Sequence, residues 1–451
     1  MQKQNGLAEN KIGLLGSTIM GIAGTAPAFS IEVTTSTILA VVGILAPASI
    51  FYCGLIMLGI AFAFINLNKV YPSAGTSYTW VSKIFGRGLG FFTGWSLLAA
   101  VCLFMVSGTL PIANATLLLI SPEHVNNVNY VAIVSVIWLT LVTAIVLKGI
   151  KASSIVQTTI TLVEMVIMLM LLIGGFVMFS GSPVNAPSID WFLPTGFTST
   201  LFVTGALTAM FFYWGWDVIL NLSEETKEKN HTPGKAVFLA MISLIVIFIA
   251  FMFISLMGLT AADIEHYNTN IIFALAEKVF GSTYGYIAII VVLLSTLGTL
   301  ETGMLQFTRT LFAKSRDGVL HSRYSRVHHN WQTPWVATLV MWGMGVTLIY
   351  LSSYLPSINQ ILSTSISAIG IQICFYLGMT GFACAWYFRD MYKKRGSITH
   401  FYYPLFSALF LTYIAVESII GFDNFTRIIG LGGIAIGVVP FLLNTYSTKK
   451  R

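Results

Sequence analysis

Long apolar runs separated by short polar turns make up most of the chain. They predict membrane-crossing helices at roughly 12–38, 43–66, 88–119, 130–148, 151–179, 199–222, 235–259, 283–314, 335–352, 358–388, 401–421 and 426–445. Most of these runs reach or approach the ~20 residues that an α-helix needs to cross a bilayer. Two of them are interrupted. The first contains Gly21-Ile22-Ala23-Gly24-Thr25-Ala26-Pro27, and the sixth contains Trp214-Gly215-Trp216-Asp217. Pro27 has no N–H to donate and its ring crowds the carbonyl of Ala23, so a regular helix cannot continue through it. Backbone groups unpaired in a medium without water are costly, and a bound polar ligand or ion is the useful partner for them. Interrupted segments in corresponding places of two halves are the pointer to a transporter with internal repeats.

Composition supports the membrane reading. Hydrophobic residues are 56%, charged residues 9% and mean hydropathy +0.82, too little polar surface for a soluble chain of 451 residues. The first run is longer than a signal-peptide core, and Thr34 to Thr37 offers no small-residue cleavage pattern. With both termini in the cytoplasm, Lys69, Lys83, Arg87, Lys148, Lys151, Lys227, Lys229, Lys235, the segment from Lys314 to Arg326, the segment from Arg389 to Arg395, and Lys449 to Arg451 all fall inside. Only Lys278 and Arg427 fall outside. This asymmetry predicts cytoplasmic tails at 1–11 and 446–451, and the membrane is expected to be the plasma (inner) membrane. The net charge of +7 thus follows from topology. Basic residues dispersed over short loops exclude a nucleic-acid partner.

Cys53, Cys102, Cys374 and Cys384 lie within predicted helices without metal spacing, and His328-His329 has no third ligand nearby, so neither a metal nor a cofactor is expected. Gly90-Gly94 and Gly433-Gly437 have the spacing that lets membrane helices approach closely. The breaks at Gly24 and Gly215 stand 191 residues apart, and each is followed by four further spans. That divides the chain into five-helix units at 12–179 and 199–388, with two additional helices at 401–445. Because five is odd, the second unit enters the membrane from the opposite side, so the repeats are inverted and their broken helices can meet near the midplane.

Four strings occur in order along the chain: Gly24-Thr25-Ala26; Tyr71-Pro72-Ser73-Ala74-Gly75-Thr76-Ser77-Tyr78; Ser223-Glu224-Glu225-Thr226; and Ala313-Lys314-Ser315-Arg316-Asp317-Gly318-Val319-Leu320. Together they resemble the amino acid/polyamine/organocation transporter superfamily over nearly the whole chain. The resemblance implies an all-α membrane protein of twelve helices with a LeuT-like five-plus-five inverted repeat. It also implies alternating access and uptake or exchange of amino acids or related amines. No enzyme is implied: no Ser/His pair, paired catalytic Asp or HExxH arrangement lies at matching depths. A membrane sensor without transport is the reading from another class.

On this resemblance the substrate-binding small triplet falls on Gly24, Thr25 and Ala26, beside Ile22 and Ala23. Relatives more often carry Gly-Ser-Gly there, so Thr25, Ala26 and Pro27 are departures that bear on how a carboxylate would be held. Exposed N–H groups opening the outer half-helix suit a carboxylate, and carbonyls ending the inner half-helix suit an ammonium, so an amino acid zwitterion matches both. The gate falls on Phe211, the unwound stretch on Phe212 to Gly215 with Trp214, and the family acid on Asp217, which is expected to join the partner helix or gate. Ala100 and Phe104 on the third span, together with Thr299, complete the expected substrate-binding set. Stacked aromatics can close a site or hold a cation.

Glu164 is the candidate for energy coupling. It lies 13 residues into the fifth span, ~20 Å along it at helical rise. A carboxylate there is costly unless neutralised, paired or hydrated. Proton-coupled relatives often place a lysine at the matching position. A reversible proton on Glu164 could replace that charge, or the carboxylate could complete a sodium site with the hydroxyls of Thr296 and Thr299. Glu301 lies about 200° around the eighth span from Thr299 and is expected to pair with the scaffold. Glu32 is expected near the external vestibule.

Overall fold

The structure, a computed structural model, describes residues 6–125, 127–267, 270–281, 285–355 and 358–449. Residues 1–5 and 450–451 of the two expected tails, and 283–284 at the start of the eighth expected span, lie outside the described residues. The chain is all-α, and among the described residues the only β pairing is an isolated bridge between Ile12 and Thr226. In chain order the helices are α1 (Leu14–Thr25), α2 (Pro27–Val42), α3 (Ala46–Val70), α4 (Thr76–Phe85), α5 (Arg87–Ile120), α6 (Val128–Leu147), α7 (Ile150–Phe179), α8 (Ser199–Phe212), α9 (Val218–Asn221), α10 (Thr232–Gly258), α11 (Ala261–Tyr267), α12 (Ile271–Phe280), α13 (Tyr286–Arg316), α14 (Trp335–Ser352), α15 (Ile358–Tyr387), α16 (Tyr403–Gly421), α17 (Asn424–Ala435) and α18 (Val438–Lys449).

Among the described residues ten helical stretches are long and apolar enough to cross a membrane. The first, Leu14–Val70, contains both the first and the second expected span. The sixth expected span is shorter than the pattern suggested: α8 stops at Phe212 and resumes only as the four-residue α9. The run at 426–445 is also divided, at Ile436-Gly437. There the indole of Trp95 on α5 donates to the Gly433 carbonyl at 3.0 Å. A β-carbon on Gly437 would lie 2.5 Å from the same ring, so the small residues serve close packing. Three short helices, α4, α11 and α12, fold outside the long apolar runs.

Helix α13 forms the axis of the packing, resting on α5, α7 and α1, while α10 packs on α3 and α1. The burial pattern of α7 explains its place. Ser153, Gln157, Thr161 and Glu164 are buried on one face, whereas Ile155, Leu162, Val163, Val166 and Leu169 are exposed. In a bilayer this inside-out amphipathicity is favourable: apolar side chains meet lipid, and polar ones find partners inside the bundle.

Candidate functional site

The break between α1 and α2 sits at Ala26, whose φ of 48° and ψ of 74° are left-handed. The Ala26 N–H donates to the carbonyls of Ile22 and Ala23 at 2.9 and 3.1 Å. Pro27 then opens α2, where its missing N–H costs nothing. The next donors go to other helices. The Ala28 N–H donates to Glu164 Oε1 of α7 at 3.1 Å, and the Phe29 N–H donates to Ser295 Oγ of α13 at 3.1 Å. Ser295 in turn donates its hydroxyl to the same Glu164 oxygen at 2.7 Å. The hydroxyl of Thr299 donates to the Gly24 carbonyl at 2.8 Å, and that of Ser30 to the Thr25 carbonyl at 2.7 Å. Glu164 therefore caps the positive end of α2 through one direct bond and one bridging serine.

The second break runs from Tyr213 to Asp217, with Gly215 at a φ of 109° that only glycine adopts easily. The two breaks touch backbone to backbone. A β-carbon on Gly24 would overlap the Gly215 carbonyl, and one on Gly215 would overlap the Gly24 carbonyl. Asp217 Oδ2 accepts from Gln306 Nε2 of α13 at 2.7 Å and from the Tyr376 hydroxyl of α15 at 3.0 Å. Tyr376 accepts the indole N–H of Trp214 at 2.8 Å. Asp217 thus ties the second break to two long helices. Beside it, Phe104 of α5 packs edge-on against Trp214 and Phe29 at centroid distances of 5.3 and 6.0 Å, and Phe211 lies 6.3 Å from Trp214.

The expected residues are not all brought together. Gly215 and Thr299 meet Gly24, Glu164 and Phe104 meet the start of α2 at Ala28 and Phe29, and Trp214 packs between Phe104 and Phe211. Ala100 is buried on α5, and the Thr25 hydroxyl turns back to the Gly21 carbonyl at 3.2 Å. Phe212 packs instead on Phe248 of α10 at 5.2 Å. Thr296 donates to Val292 of its own helix at 2.6 Å, and Ser295 occupies the position against Glu164. Ser295, Gln306 and Tyr376 were missed by sequence reasoning. For Ser295 a signal existed: its i, i+4 spacing with Thr299 places two hydroxyls on one helical face.

The other membrane acids are separate. Glu301 is fully buried, with the Ser153 hydroxyl of α7 beside its carboxyl and the charge of Arg309 on its own helix acting on it, and among the described residues it forms no salt bridge. Glu32 accepts from the Ile272 N–H of α12 at 2.6 Å and lines a cavity of ≈ 480 Å³ with Asn114, His266 and Tyr286. Phe211 lines a smaller cavity of ≈ 130 Å³ with Thr34, Leu207 and Ile366.

Three of the four sequence strings meet at the bundle end that carries Lys83, Arg87 and Arg316, the basic end. Arg309 and Glu225 pair through two hydrogen bonds of 2.9 and 3.0 Å, with both side chains fully buried. Arg316 grips Glu224 at 2.7 and 2.9 Å, and Glu224 also accepts the Ala74 N–H at 2.8 Å. Partial burial works against ionisation of Glu224, yet the bonded Arg316 guanidinium holds its carboxyl below the ordinary value. Asn221 donates to the Ala74 carbonyl and to Thr310 at 2.8 and 3.0 Å. Lys314 donates to the Phe91 carbonyl at 2.9 Å, its ammonium 4.0 Å above that residue's ring. Among the described residues no group of three or more His, Cys, Asp or Glu could hold a metal ion.

Over residues 12–443 the chain matches the family model described as amino acid permease. It is 24% identical to the low-affinity putrescine importer PlaP of Escherichia coli (strain K12), over 86% of this chain and 83% of the importer. It is 27% identical to the methylthioribose transporter of Bacillus subtilis (strain 168), over 63% of each chain. The serine/threonine exchanger SteT of Bacillus subtilis is 22% identical over 66% of this chain and 67% of the exchanger.

Proposed function

The chain belongs to the amino acid permease family, and from that premise we propose a secondary active transporter that moves an amino acid or related amine across the plasma membrane. It works by alternating access and is coupled to protons. A relative that imports putrescine and one that exchanges serine and threonine bracket the substrate class. Helices α1–α7 and α8–α15 are the two inverted repeats, each opening on a broken helix, with α16–α18 outside them. The basic end faces the cytoplasm, as the distribution of Lys and Arg requires.

The observation that carries the coupling is the bond from the Ala28 N–H to Glu164 Oε1. An ionised carboxylate at a helix N-terminus is favoured by roughly 0.3–1 kcal/mol, and by up to about 2 kcal/mol where partly buried. A proton on Glu164 removes that attraction and loosens the join between α7 and the outer half-helix. Proton release restores it. The same event thereby changes the hold on α2 beside the point where Gly24 meets Gly215, which is where a substrate must pass between the repeats.

Uptake into proteoliposomes tests this. The wild type should accumulate labelled substrate faster under an inward proton gradient. Glu164→Gln should still exchange substrate but lose that acceleration. Unchanged pH-driven accumulation by correctly folded Glu164→Gln would remove the residue from the mechanism. A sodium requirement at constant pH would replace the proton with sodium, and absence of any uptake would point to a sensor.

A further inference from the structure

We infer that the site at the α1/α2 break takes an organic amine that carries no carboxylate, because Glu164 and Ser295 already hold the backbone donors a substrate carboxylate would use. The inference rests on the transporter reading above, and it narrows the substrate of the same site.

The donors at the break can be counted one by one. The Ala26 N–H returns to Ile22 and Ala23, and Pro27 has none. The Ala28 N–H goes to Glu164 and the Phe29 N–H to Ser295, at 3.1 Å each. The Ser30 N–H closes onto the Ala26 carbonyl at 2.8 Å. A substrate carboxylate arriving at this end of α2 meets no free N–H of the α1/α2 break, and it arrives beside the protein's own carboxylate. Two carboxylates sharing one site repel unless one is protonated.

The surrounding charge points the same way. Among the described residues Glu32, Glu164, Asp217 and Glu301 form no salt bridge. The two deeply buried bases are engaged elsewhere, Arg309 with Glu225 and Lys314 with Phe91. The region of the breaks is thus rich in acids and holds no free base to receive a carboxylate. An ammonium finds better company. Carbonyl oxygens have two lone pairs, so those of Ile22, Ala23 and Gly24 can accept a second bond. The rings of Phe104, Phe211 and Trp214 can face a cation. Glu164 stands where an amino acid substrate would have brought its own negative group.

The test uses ligands that differ by one carboxylate: putrescine and ornithine, cadaverine and lysine, agmatine and arginine, tyramine and tyrosine. Affinities for the purified full-length protein come from thermal-shift titration and from competition in proteoliposome uptake. In at least one pair the decarboxylated member should bind the wild type about 10-fold or more tighter, the equivalent of about 1.4 kcal/mol. Glu164→Ala frees the Ala28 N–H and removes the repelling charge, so the ratio in that pair should shrink about 10-fold or reverse. Ser295→Ala, which keeps the carboxylate but frees the Phe29 N–H, should shrink it less. It serves as the second variant if Glu164→Ala does not fold.

Equal or tighter wild-type binding of the carboxylated members overturns the inference while leaving the transporter reading intact. An unchanged ratio in both folded variants overturns the role given to Glu164 and Ser295. Failure of every amine and amino acid to bind or be taken up overturns the transporter reading and the inference together.

Discussion

Acids occupy two contrasting settings in this molecule. At the basic end Glu224 and Glu225 each meet a guanidinium through two hydrogen bonds, and Glu225 does so without solvent exposure. In the middle of the bundle Glu164, Asp217 and Glu301 are equally buried, yet among the described residues none forms a salt bridge. Glu164 and Asp217 accept from N–H and O–H groups, and Glu301 lies beside the Ser153 hydroxyl. The difference separates fastening from exchange. A carboxylate locked to arginine cannot take up a proton without abandoning a buried charge, whereas one held by neutral donors can change its charge and leave its neighbours in place.

The largest effect should come from breaking the fastened pair. Arg309→Met leaves Glu225 buried without its counter-charge and is expected to cost about 3–5 kcal/mol. A large fall in the thermal unfolding temperature of the purified protein would record it. The double variant Arg309→Met/Glu225→Leu should recover most of the loss, because removing both partners leaves no stranded charge. A single variant as stable as the wild type would show that the pair does not fasten this end.

Much of this architecture is legible in the sequence, because lipid allows few solutions. Pro27 and Gly215 mark the two breaks, and the breaks do meet. What they do on meeting is less legible. Gly24 suggests room for a substrate against bare backbone, yet its vacant side faces the Gly215 carbonyl, so its smallness serves the contact between the two broken helices. A pattern along one helix does not say which neighbour will face it. Thr296 and Ser295 illustrate this. Both are hydroxyl residues one position apart, and only the rotation of α13 against α7 decides that Ser295 reaches Glu164. Asp217 follows the same rule, since Gln306 and Tyr376 are remote in sequence and no local motif announces them. The short helices α11 and α12 fall between apolar runs and leave no membrane-length signal.

A smaller effect sharpens the contrast from the other side. Glu301→Gln replaces a buried acid that forms no salt bridge by a neutral amide of the same shape, and Arg309 keeps its bond to Glu225, so no counter-charge is stranded. Its stability should stay within about 1 kcal/mol of the wild type or rise, since a charged form no longer has to be desolvated. Glu225→Gln, the same chemical change at the paired acid, should be clearly destabilising because it leaves Arg309 buried and unpaired. Thermal unfolding of the two variants side by side makes the comparison. Equal losses would mean that pairing does not distinguish the two settings.

The smallest effect belongs to a third setting, a half-exposed pair outside the long spans. Lys278 Nζ lies 2.7 Å from Asp263 Oδ2, with the two side chains 32% and 23% exposed. Thr260 donates its N–H and its hydroxyl to the same oxygen at 2.8 Å each. Burial acts to raise the Asp263 carboxyl, but the hydrogen bond from Lys278, the Thr260 donors and the lysine charge bring it down from 3.8 to about 2. A carboxyl lowered in the folded state contributes stability that is fully present above its unfolded value of 3.8 and is lost as pH falls through about 2. Because the pair is screened by solvent, that contribution should not exceed about 1 kcal/mol. Asp263→Asn should therefore unfold slightly below the wild type at neutral pH. The gap should close as the solution is acidified from 3.8 toward about 2, and it should narrow with added salt at neutral pH. A gap that widened on acidification would contradict the sign, and one indifferent to both acid and salt would show that Asp263 acts through packing instead of charge.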